Sequence, residues 1–312
     1  MNAQTEKKPA DETPEWLQRK ERGNIFWLRV MCWLSLMLGR RLSRIVVYGI
    51  ALYFVLAAPA ARKASRIYLA RILERPVTWL DLYRHILAFS STIHDRIYLL
   101  NDRHDLFDIQ VFGSEPVYDC RDCNRGMFLF GAHLGSFEVM LAHARDTSLK
   151  ACIAMYPENA RQLNSALAAI NPQAMQGIIS LGKMDSMLAI HQKLEEGAVV
   201  GILADRAVGP DQYISIPFLG APARFPTGPF RMAAMLRHPV FFMAGLYRGG
   251  NRYEIHFELL ADFSKPTSIG RDAAVREVLV KYVAALERHC KSAPYNWFNF
   301  YDFWESANCD EI

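Results

Sequence analysis

From about residue 107 onward the sequence alternates short apolar runs with helical stretches, and this alternation constrains the fold more than any other feature. The predicted strands are residues 107–112, 126–131, 151–156, 176–180, 198–204, 239–248 and 252–260. The predicted helices are residues 137–145, 158–170, 185–197, 228–238 and 272–291. Strands that alternate with helices form βαβ units, so we predict an α/β fold with a mostly parallel central sheet flanked by helices.

The first 75 residues differ from the rest of the chain in charge and hydropathy. Residues 1–22 are polar and charged, which predicts a disordered tail. Two apolar runs follow, separated by a basic spacer, and residues 24–75 hold nine Lys or Arg against one Glu, a net charge of +8. Because a cationic amphipathic helix binds anionic lipid, we expect residues 23–75 to form membrane-associated helices. Residues 76–312 would then be the catalytic domain. A short transmembrane anchor and a buried helical hairpin are the alternatives.

Composition excludes several classes of protein. The basic excess is confined to the N-terminal segment, since the whole chain carries only +4, and this argues against a nucleic-acid surface. Six scattered cysteines are too few for a disulfide framework and indicate reduced thiols in the cytosol. Cys120 and Cys123 form a C-x-x-C pair without a second pair, so no metal site is expected. No glycine-rich phosphate loop is present in the sequence.

The stretch GAHLGSFE, residues 131–138, joins a predicted strand to a predicted helix. In a continuous helix, side chains five residues apart point about 140° from each other, so His133 and Glu138 could not meet. They could meet if the helix begins after His133, with Ser136 as its N-cap and Glu138 in its first turn. A carboxylate behind an imidazole fixes its tautomer and supports a general base. The simpler interpretation is a capped joint between a strand and a helix.

The same stretch resembles the H-x4-D/E motif of the lysophospholipid acyltransferase superfamily. It is most similar to the late lipid A acyltransferases (lauroyl and myristoyl transferases) and the bacterial phosphatidylinositol mannoside acyltransferases. The similarity extends over about residues 24–305. It includes MYPENARQLNSAL at 155–167, EEGAVVGILADRAVG at 195–209, the Phe-Gly and Thr-Gly segment at 214–247, and NWFNFYDFW at 296–304. Two features depart from the pattern: Arg206 stands where Gln is common, and a Trp-x-x-Arg-Arg ending is missing.

The resemblance implies an acyltransferase without a metal or a bound cofactor. The acyl group would come from acyl carrier protein or coenzyme A as a thioester and pass to a hydroxyl or amine of a lipid-like acceptor. His133 would be the general base and Glu138 its partner. Asp205 and Arg206 also follow a predicted apolar strand, so we expect them to line the same cleft as His133 at the carboxyl edge of the sheet. The candidate substrate-binding residues are Asp205, Arg206, Ser136 and Thr227. The +8 charge beside two short apolar runs predicts peripheral or monotopic attachment to the cytoplasmic face of the inner membrane through residues 24–75.

Two other functions remain open from the residues alone. His133, Glu138 and His143 could be the ligands of a metal-dependent hydrolase. The chain could also be a membrane scaffold whose acyltransferase site is inactive. Metal analysis would test the first alternative, and mutation of the His-Glu pair would test the second.

Overall fold

The structure is a computed structural model that describes residues 25–155, 177–182, 184–206, 212–266 and 269–304, without the side chains of residues 25–29 and 184. The tail predicted at residues 1–22 and the helix predicted at 158–170 lie outside the described residues. The bounds of the tail, the membrane segment and the catalytic domain therefore stay predictions.

A seven-stranded sheet forms the centre of the fold, as the alternation of strands and helices predicts. Its strands are β1 Asp108–Phe112, β2 Met127–Gly131, β3 Ala151–Met155, β4 Ile178–Ser180, β5 Val199–Leu203, β8 Pro239–Tyr247 and β9 Arg252–Asp262. Their order in the sheet is β1-β9-β8-β2-β5-β3-β4, and neighbouring strands run parallel except β8 and β9, which are antiparallel. The predicted mostly parallel α/β architecture is confirmed.

Helices cover both faces of this sheet. Within the described residues they are α1 Ile25–Ala57, α2 Pro59–Leu73, α3 Trp79–Leu99, α4 Glu115–Asp122, α5 Phe137–Asp146, α6 Met184–Glu195, α7 Gly228–Leu236 and α8 Arg271–Ser292, with a 3₁₀ turn at His104–Leu106. The fully buried strand β2 shows the layering. Phe128 and Phe130 belong to a core shared with α2, α7 and α8, while Met127 and Leu129 belong to a second core shared with α3, α4 and α5.

An antiparallel hairpin, β6 Tyr213–Phe218 and β7 Ala221–Pro226, lies outside the main sheet and was not anticipated from the sequence. Its two-residue turn places Leu219 and Gly220 at positive φ, the geometry of a tight hairpin turn. Pro217 and Pro222 stand opposite each other in the register. Because proline cannot donate to a strand ladder, such a segment does not have the pattern of a strand.

The N-terminal helix α1 presents large apolar side chains to solvent. α1 passes through the basic spacer with a kink at Gly39, where φ is +74°. Within the described residues no single helix is long and apolar enough to cross a membrane, but Val30–Ala57 and Pro59–Leu73, bent by 94°, pass that test as a pair by length and composition. The large exposed apolar side chains of α1, which we call the α1 apolar face, are Trp33, Leu34, Leu36, Met37, Leu38, Leu42, Ile45, Val46, Tyr48, Leu52, Tyr53, Phe54 and Leu56.

A buried carboxylate fastens α1 to the rest of the protein. Asp95 of α3 is fully buried and accepts two hydrogen bonds from Arg40, at 2.8 and 3.0 Å, and one from Arg44 at 3.0 Å. The Tyr253 hydroxyl of β9 donates to the same carboxylate at 2.8 Å. Burial alone would raise the pKa of Asp95, but the His94 and arginine contacts hold that pKa below its usual value. Four hydrogen bonds from three side chains thus keep the carboxylate charged inside the protein.

We expect Asp95→Ala to lower the free energy of unfolding by about 3–5 kcal/mol, because it leaves two partly buried guanidinium groups without their partner. Denaturation of the detergent-solubilised protein, followed by tryptophan fluorescence, measures the change. The control is Asp105→Ala, since that carboxylate is 63% exposed and pairs with Arg103 on the surface, where such pairs contribute at most about 1 kcal/mol. Equal effects of the two changes would contradict the anchoring role.

Candidate active site

The segment after β2 that carries His133 is held by a second segment, residues 296–298. Leu134 forms an antiparallel bridge with Trp297, the Gly135 amide donates to the Asn296 carbonyl at 2.9 Å, and the Phe298 amide donates to the His133 carbonyl at 2.7 Å. Three consecutive residues of the histidine loop are therefore paired with the aromatic stretch near the end of the chain, which fixes the position of the His133 backbone.

Gly135 allows this loop to turn into helix α5. Its φ is +72°, and a Cβ there would lie 2.0 Å from the carbonyl oxygen of Gly245 in β8. No side chain fits in that space, and the conformation itself favours glycine. The amide of Ser136 then donates to the same Gly245 carbonyl at 2.7 Å. The loop thus rests directly on the backbone of β8 before the helix begins.

Ser136 is the N-cap of α5, as predicted, and its Oγ accepts from the amide of Val139 at 3.3 Å. Glu138, however, does not make the predicted contact with His133 in the structure. Its carboxylate pairs with Arg96 of α3, at 2.6 Å from Nε, and accepts from Ser136 Oγ at 3.1 Å. Glu138 does not reach His133 because the first turn of α5 packs against α3, and the Glu138 side chain points toward α3. His133 lies on the loop before α5.

The carboxylate beside His133 is that of Asp205. Its Oδ1 lies 2.9 Å from His133 Nδ1, and its Oδ2 accepts from the His133 amide at 3.1 Å and from Trp297 Nε1 at 3.3 Å. The two residues meet because β2 and β5 are parallel neighbours with Gly131 opposite Leu203, so each residue lies two positions past its strand. Asp205 is 1% exposed, whereas the His133 side chain is 32% exposed.

This arrangement fixes the tautomer of His133. An ionised carboxylate only accepts, so Nδ1 carries the proton and Nε2 has the lone pair. Among the described residues no hydrogen-bond partner occupies Nε2. Burial and the positive charge of Arg206 lower the pKa of His133 below its usual value, although Asp205 opposes the shift. Burial alone would raise the pKa of Asp205, but His133 and Arg206 hold it well below its usual value. His133 is therefore neutral at pH 7 and can accept a proton at Nε2.

Arg206 follows Asp205 and lies along the same aromatic segment. One of its terminal nitrogens donates to the Phe298 carbonyl at 3.1 Å, and its guanidinium carbon sits 4.9 Å from the centroid of the Tyr301 ring. Its Nε is buried and has no hydrogen-bond partner among the described residues. Because Phe298 also donates to the His133 carbonyl, the structure brings Arg206, Asp205 and His133 together.

The structure does not bring Thr227 or His143 into this group. Thr227 donates its hydroxyl to the Gln212 carbonyl at 3.0 Å and lines a separate open cavity of about 320 Å³ with Arg231 and Asp272. His143 bonds through Nε2 with the hydroxyl of Tyr118 at 2.8 Å. Within the described residues His133, Glu138 and His143 do not form a possible metal-ligand group. Glu138 and His143 are five residues apart on α5 and therefore point in different directions, which removes the basis of the hydrolase alternative.

Sequence comparison with known families agrees with this geometry. The sequence model of a family described as bacterial lipid A biosynthesis acyltransferase matches residues 15–305. The chain belongs to this family. Comparison with curated proteins finds none that matches the chain. Membership in the lipid A biosynthesis acyltransferase family makes the chain an acyltransferase for a lipid acceptor, and the family is associated with the inner membrane.

We expect the pH dependence of acyl transfer to respond to Asp205. If His133 is a general base it must be neutral to act, so kcat/KM should fall as the pH drops through its lowered pKa. Asp205→Asn removes the charge that raises this pKa, and the acid limb should therefore move to lower pH while kcat falls by about 10²–10⁴-fold. A pH–rate profile measures both effects. Glu138→Gln is the control, because Glu138 has no contact with the imidazole and should leave the acid limb in place.

Proposed function

We propose that the chain transfers a fatty acyl group from a thioester to a hydroxyl or amine of a lipid acceptor, with His133 as the general base and Asp205 as its partner. The observation that carries this proposal is the hydrogen bond between Asp205 and His133 Nδ1, which leaves Nε2 of a partly exposed imidazole open at the carboxyl edge of the sheet. Open α/β sheets bind their ligands at this edge.

The chemistry follows from the position of the proton. Nε2 of His133 takes the proton of the acceptor hydroxyl as that oxygen attacks the thioester carbonyl. The tetrahedral intermediate then collapses, its carbon–sulfur bond breaks, and the new ester forms. The imidazolium returns its proton to the departing sulfur, so His133 is neutral again at the end of the cycle. Asp205 stabilises the imidazolium in between and keeps the ring in one tautomer.

Glu138 has a supporting role in this proposal. Its pair with Arg96 and its hydrogen bond with Ser136 hold the first turn of α5, and a carboxylate there also interacts favourably with the positive end of the helix. Because α5 begins four residues after His133 and is joined to it through Gly135, the Glu138–Arg96 pair holds the helical end of the loop. Glu138 is thus a positioning residue.

The donor and the acceptor are identified by their chemistry. Acyl carrier protein and coenzyme A both present a thioester on a phosphorylated pantetheine arm, and the guanidinium of Arg206 beside His133 suits a phosphate or another anion of donor or acceptor. The Phe298 carbonyl and the Tyr301 ring already hold Arg206 in place. Ser136 and Thr227 have structural hydrogen bonds of their own, so we assign substrate binding to Arg206 ahead of them.

Attachment to the membrane would use the α1 apolar face. A contiguous set of exposed Trp, Tyr, Phe and Leu side chains indicates a lipid or protein surface rather than solvent. Arg40 and Arg44 are engaged by Asp95, but the other basic residues of the segment favour an anionic leaflet, and the reduced cysteines favour its cytoplasmic side. We propose peripheral or monotopic attachment at that face, which would place a lipid acceptor beside the catalytic domain.

We expect His133→Ala to reduce kcat by at least about 10²–10⁴-fold, the usual contribution of general-base catalysis. Glu138→Gln should reduce it less, and the double variant should be little worse than His133→Ala alone if the two residues serve the same step. Transfer of labelled acyl groups from acyl carrier protein or coenzyme A to extracted lipids measures these rates. A folded, membrane-bound His133→Ala protein with nearly wild-type transfer would contradict the proposal.

We also expect the triple change Trp33, Leu52 and Leu56 to Ser to weaken binding to anionic vesicles by at least tenfold, because three large apolar side chains lose their contact with lipid. Flotation with vesicles that contain phosphatidylglycerol measures binding. The control is Leu188→Ser, since this residue is 68% exposed on α6, outside the N-terminal helices. Normal vesicle binding by the triple variant, with loss of binding in Leu188→Ser, would contradict membrane attachment through the α1 apolar face.

A further inference from the structure

Two histidines and a glutamate converge at the edge of the sheet opposite His133. His191 and Glu195 lie one turn apart on α6 and therefore share a face of that helix. His238 lies between the end of α7 and the start of β8. One ligand atom from each of the three residues lies within 4.8 Å of the others. Within the described residues this is the one such group that could hold a metal ion.

The hydrogen bond of His238 prepares its ring for metal binding. Nδ1 lies 3.0 Å from the carbonyl oxygen of Gly126. A carbonyl only accepts, so Nδ1 carries the proton and the lone pair of Nε2 is available. Metal-bound histidines usually donate their second ring nitrogen to a backbone carbonyl or a carboxylate in this manner, which fixes both tautomer and orientation. The His238 side chain is 13% exposed, so the ring is held in place while Nε2 faces Glu195.

The distance between His238 and Glu195 suits two ligands of one metal ion better than a direct hydrogen bond between them. His238 Nε2 lies 3.7 Å from Glu195 Oε1, which is longer than a hydrogen bond. Ligands placed about 2.0–2.1 Å from a tetrahedral Zn²⁺ are separated from each other by roughly 3.3–3.4 Å. Only small rotations of the exposed His191 and Glu195 side chains are needed to reach that spacing.

We propose that His191, Glu195 and His238 form a Zn²⁺ site, with water as the fourth ligand. Two imidazoles and one carboxylate are a common zinc donor set, whereas Mg²⁺ and Ca²⁺ prefer sites made of oxygen. The C-x-x-C pair of Cys120 and Cys123 is not part of it. This inference does not depend on the acyl-transfer proposal.

The site would brace the three central strands at their amino ends. Glu195 ends α6 and leads into β5, Gly126 precedes β2, and His238 precedes β8. These three strands lie side by side in the order β8-β2-β5, and the carboxyl ends of β2 and β5 lead to His133 and Asp205. A metal ion at this position would therefore stabilise the fold without taking part in the reaction.

Binding of Zn²⁺ to the full-length, tag-free protein in detergent tests the proposal. We expect one Zn²⁺ per chain in competition with a chromophoric chelator, and Co²⁺ should give the intense visible bands of a tetrahedral site. Zn²⁺ should raise the thermal midpoint, because an ion that binds the folded state stabilises it, and a chelator should reverse the rise. His191→Gln should weaken affinity at least about tenfold and abolish the thermal shift.

Two variants keep the test specific. His104→Gln removes a partly exposed histidine that pairs with Asp146 elsewhere, and Cys123→Ser removes an exposed thiol; both should retain wild-type Zn²⁺ affinity. His191 is exposed on α6, so its replacement should leave the fold and the basal transferase activity unchanged even if His238→Gln fails to fold. Wild-type affinity in His191→Gln, or loss of affinity in Cys123→Ser, would overturn the assignment.

Discussion

The buried carboxylate of Asp205 is the group on which the candidate active site depends. It bonds the imidazole, the backbone amide of the same histidine and the Trp297 indole, so it joins β5 to the loop after β2 and to the aromatic segment. A charged group without these donors would be expensive to bury. The hydrogen bonds that stabilise the Asp205 charge also orient His133. The same bonds therefore contribute to the stability of this region and to the proposed chemistry.

Helix α3 links the N-terminal helix α1 with the candidate active site. Two consecutive residues of α3 face different partners: Asp95 binds Arg40 and Arg44 of α1, and Arg96 binds Glu138 at the start of α5. The positions of α1 and of the histidine loop are thus set by neighbouring residues on one rigid helix. If α1 lies on the bilayer as proposed, this connection fixes the position of the histidine loop relative to the lipid.

Much of the fold could be predicted from periodicity, because each central strand is a short apolar run bounded by turn residues. The start of α5 could also be predicted, because Ser136 is a residue type that is preferred at the N-cap of a helix. The hairpin of β6 and β7 could not be predicted because its prolines break the sequence pattern of a strand. The short polar helix α4 could not be predicted because it lacks an apolar stripe. Contacts between distant residues are harder to predict. The alternation of strands and helices does not give the strand order, and without the order β2 and β5 are not known to be neighbours.

The partner of His133 shows the same limit. Glu138 is close in sequence, yet the direction of the first helical turn takes it to Arg96. Asp205 is distant in sequence, and only the register that sets Gly131 opposite Leu203 brings it to the imidazole. One signal was available in the sequence: His133 and Asp205 each come within two residues of the end of an apolar run that predicts a strand. That pattern indicates a common sheet edge, but it does not identify which carboxylate makes the hydrogen bond.

The pairing of the histidine loop with residues 296–298 has a consequence for biosynthesis. The ribosome releases the chain from its amino terminus, so α1 and α2 leave the exit tunnel long before Trp297 and Phe298 are made. Until those residues emerge, Leu134 and Gly135 lack their backbone partners and Asp205 lacks the indole donor. Helix α1 is therefore synthesised well before the loop of His133 can acquire its full set of partners. If His133 is the general base, a chain that stops before Trp297 is expected to be inactive.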